Sequence, residues 1–110
     1  MRGFRRARQR LFACAASAAS SIQIVNQGVA VVTGGIGGLG TEICRALASA
    51  GHTVIAADLG SRSDRIAEFE REVDGLDIRF APLDVSDFGA CGALARALEA
   101  EHGSIDILVN

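Results

Sequence analysis

This chain contains neither tyrosine nor lysine. Without a phenol or an amine it cannot supply an acid–base step built on either group, and it cannot form the Gly-Lys-Ser/Thr grip of a mononucleotide P-loop. Three cysteines, Cys14, Cys44 and Cys91, are odd in number and lack metal-ligand spacing. Cys44 and Cys91 fall beside apolar residues on predicted helix faces and read as small buried hydrophobes in a reducing compartment. No acid precedes Glu42, whereas five of the eleven basic residues (Arg2, Arg5, Arg6, Arg8 and Arg10) fall at the very start. The formal net charge of −2 argues against a nucleic-acid surface, and the short apolar run from Leu11 to Ala19 cannot span a bilayer.

What is present divides the 110 residues in two. Residues 1–27 form a basic, Ala/Ser-rich leader that fits a disordered extension or sequence upstream of the true start. It equally fits a secretory or organelle-targeting segment. The expected location is cytoplasmic, or organelle or export if the leader is genuine. Residues 28–110 leave room for one small domain of about 80 residues, which buries only about 60% of its unfolded surface and is marginal alone.

Across that domain apolar runs alternate with helical patterns, with no repeats and no low-complexity linker. Strands are expected near 28–33, 53–57, 77–81 and 105–109, and helices near 38–50, 62–74 and 87–102. On the first helix Leu39, Ile43 and Leu47 share one face, and Gly51 stops it. The second carries Ile66, Phe69 and Val73 on one stripe, and the third carries Phe88, Cys91, Leu94, Ala95 and Leu98, with Ser86 or Asp87 as N-cap. Pro82 stops the third strand. This alternation predicts an α/β fold, a partial Rossmann-type parallel sheet of about four strands in the order 3-2-1-4 with helices on both faces. Its fourth strand leaves an apolar edge of Ile105, Ile107, Leu108 and Val109, a pairing site unless covered.

Between the first strand and first helix, residues 33 to 40 read Thr-Gly-Gly-Ile-Gly-Gly-Leu-Gly. Such a turn lets backbone N–H groups close on a phosphate, helped by the helix dipole. Gly34 would make the tight turn, Gly38 would admit the pyrophosphate, and Gly40 would allow helix to pack on sheet. Gly34, Ile36, Gly37, Gly38, Leu39 and Gly40 are therefore candidate cofactor-binding positions. Asp58, closing the second strand, can accept both hydroxyls of an adenosine ribose. Its charge would repel a 2′-phosphate by about 1–4 kcal/mol at 4 Å, so NAD is favoured over NADP. Arg62 and Arg65, just downstream, read as solvated helix-start charges, with phosphate contact as the alternative. His52 and His102 read as helix-end dipole partners, and Asp74, Asp77, Asp84 and Asp87 as a solvated acidic rim rather than a metal site.

Taken with Asp84-Val85 and the closing Asp106-Ile107-Leu108-Val109-Asn110, the loop Thr33-Gly34-x-x-x-Gly38-x-Gly40 resembles the cofactor half of a short-chain dehydrogenase/reductase. The run from Thr33 to Cys44 is most similar to acetoacetyl-CoA reductases and 3-oxoacyl carrier-protein reductases. The resemblance implies that Asp84 holds the adenine amino group, that the Val85 backbone contacts the adenine ring, and that Asn110 opens a segment lining the nicotinamide side. It also implies that the catalytic Ser and Tyr-x-x-x-Lys lie beyond position 110, so no catalytic residue is expected here. Acetoacetyl-CoA reductases use NADP with a similar loop, so the resemblance and Asp58 point to different cofactors. Two functions are expected to compete: the cofactor-binding part of an oxidoreductase acting on a hydroxyl or carbonyl substrate, homo-oligomeric when full length, or a non-catalytic dinucleotide-binding module pairing through its open edge strand.

Overall fold

A computed structural model of the chain describes residues 27–110. The leader expected over residues 1–27 lies, but for Gln27, outside the described residues. Seven elements follow in order: β1 (Val29–Thr33), α1 (Gly38–Ser49), β2 (Thr53–Asp58), α2 (Ser63–Glu72), β3 (Ile78–Pro82), α3 (Phe88–His102) and β4 (Ile107–Val109). The strands pair in parallel in the order β3-β2-β1-β4, as the alternation predicts.

Strands covered on both faces need continuous apolar sequence, and β1 supplies it. Val32 joins Ile36, Cys44, Val54, Ala56, Phe69 and Val73 beneath α1 and α2, while Val29 and Val31 join Ile55, Ala57, Leu83 and Leu98 beneath α3. Phe69 is the largest fully buried side chain. Burying it contributes about 1.5–3 kcal/mol relative to leaving it in water.

Helix ends follow local chemistry. Asp87 caps α3 by accepting from the Ala90 amide at 3.0 Å, settling the choice between Ser86 and Asp87. Gly51 and Gly75, with φ of 101° and 85°, follow α1 and α2 in the left-handed region that favours glycine. Pro82 is the last residue of β3 rather than the residue after it. The Leu83 amide bonds back to Asp58 O at 2.7 Å, so the preceding nitrogen faces the free edge, where a missing donor costs nothing.

Three apolar expectations fail. Leu39 and Phe88 are 78% and 92% exposed, because each sits in the first turn of its helix, past the cover of the sheet. Cys44 is buried, but Cys91 is only half-buried. Burial pushes the Cys44 thiol from 9.0 up to about 11, keeping it neutral and unreactive. β4 is shorter than expected: Ile105 packs under α3, and Asp106 turns its carboxylate onto the Val29 amide at 2.8 Å. Leu108 at the sheet edge is 65% exposed. Among the described residues, no helix is long and apolar enough to cross a membrane.

Candidate functional site

The glycine loop leaves β1 at its carboxyl end, beside the ends of β2 and β4. Gly34 turns the chain at φ 66°, a conformation that strains other residues. Gly35 then packs so closely on β2 that a Cβ would lie 2.7 Å from the Ala56 Cβ. A Cβ on Gly40 would lie 2.1 Å from Gly34 O, whereas one on Gly38 would meet nothing within 4 Å. The division of labour thus differs from expectation. Gly35 brings the loop onto the sheet, Gly40 closes the helix start onto the loop, and Gly38 faces open space.

Gly37 is the N-cap residue of α1 and has no side chain to satisfy the helix start. The first helical bond runs from the Thr41 amide to Gly37 O at 2.8 Å, so the amides of Gly38, Leu39 and Gly40 precede it. With the positive end of the helix dipole behind them, these donors suit an anion. Leu39 enters the site through its amide, its exposed side chain playing no part in the core. Ile36 is the converse: its side chain is wholly buried, and its amide donates to Asp58 Oδ2 at 3.3 Å. Gly37 likewise spends its amide inside the turn, on Gly34 O at 3.2 Å. Ile36 and Gly37 therefore shape the loop rather than offer donors outward.

Asp58 ends β2 directly beside this loop. Its Oδ1 accepts from the Leu59 amide at 2.8 Å and its Oδ2 from Ile36. A carboxylate has about four acceptor positions, so about two remain open. Arg62 Nη1 lies 3.9 Å from Oδ1, with the arginine side chain 48% exposed and that of Asp58 12% exposed. Arg65 overturns the expectation of a solvated charge: its Nε donates to Ile36 O and its Nη2 to Thr41 Oγ1 at 3.0 Å. The reason is length, since an arginine in the first turn of α2 is long enough to reach the loop.

Asp84 and Val85 follow β3, and Leu83 is tied to Asp58 O, so both fall on the same carboxyl edge. The Asp84 carboxylate accepts from the Ser86 hydroxyl at 2.6 Å and the Ser86 amide at 2.9 Å. The hydroxyl first, then the amide, hold its pKa below the usual carboxylate range. Val85 is 59% exposed. Asn110 accepts from the Thr33 hydroxyl at 2.8 Å, and the same hydroxyl lies 3.3 Å from Val109 O. Thr33 thus pins the end of β4 to the loop; the sequence placed it in the motif without a role. Its signal was a hydroxyl at the last position of a strand, opposite an amide side chain.

Two further expectations concern the rim. Asp77, exposed like Asp74, Asp84 and Asp87, also accepts from Thr53 Oγ1 at 2.6 Å at the start of β2. Among the described residues no group of His, Cys, Asp and Glu is placed to hold a metal ion. His102 does close α3, with Nε2 3.6 Å from Glu101 and 3.3 Å from Arg79 Nη2. A shallow groove of about 260 Å³ lies between α2 and β3, lined by Phe69, Val73, Leu76 and Phe80 among others, away from the loop.

A glycine turn between parallel strand and helix, at the point where strand order reverses, defines a doubly wound, Rossmann-like α/β fold. The comparisons narrow this. The family model for short chain dehydrogenase matches residues 28–110. The chain belongs to the short-chain dehydrogenase family of oxidoreductases, which bind a nicotinamide cofactor. It is 42% identical over 88 residues to nodulation protein G of Azospirillum brasilense, covering 78% of this chain and 35% of that protein. It is 43% identical over 84 residues to acetoacetyl-CoA reductase of Allochromatium vinosum, covering 74% and 34%. Among solved structures, menthone neomenthol reductase from Mentha piperita superposes with a TM-score of 0.63 at 38% identity, over 74% of this chain and 30% of that one. Salutaridine reductase from Papaver somniferum gives 0.62 at 30%, over 74% and 29%. The chain spans about a third of the length of the curated relatives it matches.

Proposed function

We propose that residues 28–110 form the cofactor-binding part of an oxidoreductase that moves a hydride between NAD and a hydroxyl or carbonyl substrate. The observation that carries this reading is the open face at Gly38, where unspent amides meet space that a Cβ would not touch, with Asp58 alongside. The amides of Gly38 and Leu39 would receive the diphosphate, and Asp58 the adenosine ribose. Asp84 and Val85 would border the adenine, and Asn110 the nicotinamide side.

The nicotinamide ring, when bound, supplies the hydride chemistry. The chain's own residues bind and orient. Tyrosine and lysine are absent from all 110 residues, so a general acid of the family's Tyr-x-x-x-Lys kind would come from another part of the protein. The names of the relatives, acetoacetyl-CoA reductase among them, support a carbonyl carried on a thioester as one substrate class to test. The whole protein is proposed to act as a homo-oligomer.

NAD is preferred in this reading because the Asp58 carboxylate, proposed to take the ribose hydroxyls, would repel a 2′-phosphate there. Arg62 is the competing observation, since it is half-exposed and only loosely paired. Calorimetric titration of the full chain with NAD and NADP tests both: tighter NAD binding supports the Asp58 reading, and tighter NADP binding transfers the decision to Arg62. Binding of neither rejects the function. The 110 residues alone are expected to give no turnover with either cofactor, and purified activity from them would contradict the assignment of the general acid elsewhere.

A further inference from the structure

Arg65 turns back over the glycine loop instead of toward water. Besides its bonds to Ile36 O and Thr41 Oγ1, it is held from its own helix by Glu68 Oε1, 3.1 Å from Nη1, and Glu72 Oε1, 3.2 Å from Nη2. Its side chain is 21% exposed. Four acceptors are thus arranged around one planar fork of donors, a geometry that a lysine point charge cannot reproduce.

Thr41, only 3% exposed, carries the constraint one step further. Its hydroxyl donates to Gly37 O at 2.7 Å, beside the Thr41 amide on the same oxygen at 2.8 Å. Arginine has no acceptor, so the hydroxyl must receive from Arg65 and give to Gly37; the direction of both bonds is fixed. In a trans peptide the C=O and the following N–H point opposite ways. Two bonds on Gly37 O therefore set the direction of the Gly38 N–H, the amide that opens α1 at the position facing open space.

We propose that Arg65 is a positioning residue: through its fork and the Thr41 hydroxyl it locks the Ile36 and Gly37 carbonyls, presetting the Gly38 amide for a diphosphate. This rests on reading the loop as a dinucleotide site. Arg65 itself does not touch the ligand, and the Glu68 and Glu72 carboxylates more than offset its charge. What it contributes is orientation, so that the loop does not have to order itself when the ligand arrives.

The test is calorimetric titration of the full chain with ADP-ribose, which carries the diphosphate, and with adenosine, which does not. Arg65→Met and Thr41→Val are each expected to weaken ADP-ribose binding about five- to thirtyfold while leaving adenosine within about twofold. The double variant should bind no more weakly than the weaker single one, because both cut the same relay. Arg65→Lys should behave like Arg65→Met. Equal losses for both ligands, additive losses, or no loss at all would overturn the proposal. If Arg65→Met does not fold, Thr41→Val carries the test alone, since it leaves Arg65 packed between Glu68 and Glu72. Wild-type protein that fails to bind ADP-ribose would reject the dinucleotide reading itself, an outcome distinct from wild-type binding with unselective variants.

Discussion

Two glycines of one loop, separated by a single residue, should respond oppositely to the same methyl group. At Gly40 a Cβ would stand 2.1 Å from Gly34 O and 2.9 Å from both Gly34 C and Gly35 Cα, more than 1 Å inside ordinary contact at the first of these. All three atoms are backbone, so no side chain can swing aside. The start of α1 must instead move off the loop, and Gly40→Ala should cost about 1–3 kcal/mol of stability, as overpacking does. At Gly38 the methyl meets nothing, and exchanging glycine for alanine at a helical position stabilises by up to about 1 kcal/mol. Gly38→Ala should thus keep or raise the urea midpoint of the full chain. In the proposed site, however, the methyl enters the space of the diphosphate, and NAD affinity should fall about tenfold or more, as an overpacked contact of about 1–3 kcal/mol implies. Denaturant unfolding and calorimetry on the two variants give four numbers. A Gly38→Ala protein that is stable and binds NAD like wild type would refute the assignment of that face, and an undiminished midpoint for Gly40→Ala would refute the close packing.

Replacing Asp58 with Asn removes the charge but keeps an acceptor for the loop, and should shift the NAD-to-NADP affinity ratio toward NADP by about tenfold or more; an unchanged ratio in paired titrations would remove Asp58 from the ribose role. Asp87→Ala should lower stability by about 0.5–2 kcal/mol through loss of the α3 cap, read as a shifted urea midpoint at unchanged slope. Cys44 should resist alkylation in the folded chain while Cys91 reacts ahead of it, as a mass-resolved time course would show. The folded Cys44 thiol titrates near 11 against 9.0 when exposed, so the unfolded chain loses its proton first. Stability from this group is full below pH 9 and falls as pH rises from 9 toward 11. A Cys44→Ala chain should lack that part of the alkaline decline, and an identical pH profile would contradict it.

The architecture was legible because parallel strands buried on both faces must be apolar throughout, and Val29 to Val32 and Val54 to Ala57 read that way without ambiguity. Asp58, too, could be placed, since a polar residue ending such a run must lie at the sheet's carboxyl edge. Helix faces were legible only where the helix lies over the sheet. Phe88 and Leu39 keep the apolar spacing of their helices, yet periodicity does not say where a helix overhangs its partner. Arg65 was missed for a related reason: on sequence it is one charge among several at the start of α2, and only the folded crossover brings it to Ile36 O. The glycines divide similarly. Their clustering announced a close approach, but whether Gly35 or Gly40 packs on β2 depends on the turn at Gly34, and a sequence does not display φ. Thr33 and Asn110 are far apart in the chain, and their hydrogen bond follows from the pairing of β1 with β4.

In the proposed site the amides at the start of α1 receive the diphosphate of a dinucleotide. Amide-resolved nuclear magnetic resonance on the full chain, titrated with NAD, tests it most directly. The Gly38 and Leu39 amide resonances should shift saturably, tracking shifts at Asp58 with one affinity. Saturable shifts confined to other residues, such as those lining the groove between α2 and β3, with Gly38 and Leu39 unmoved, would contradict it.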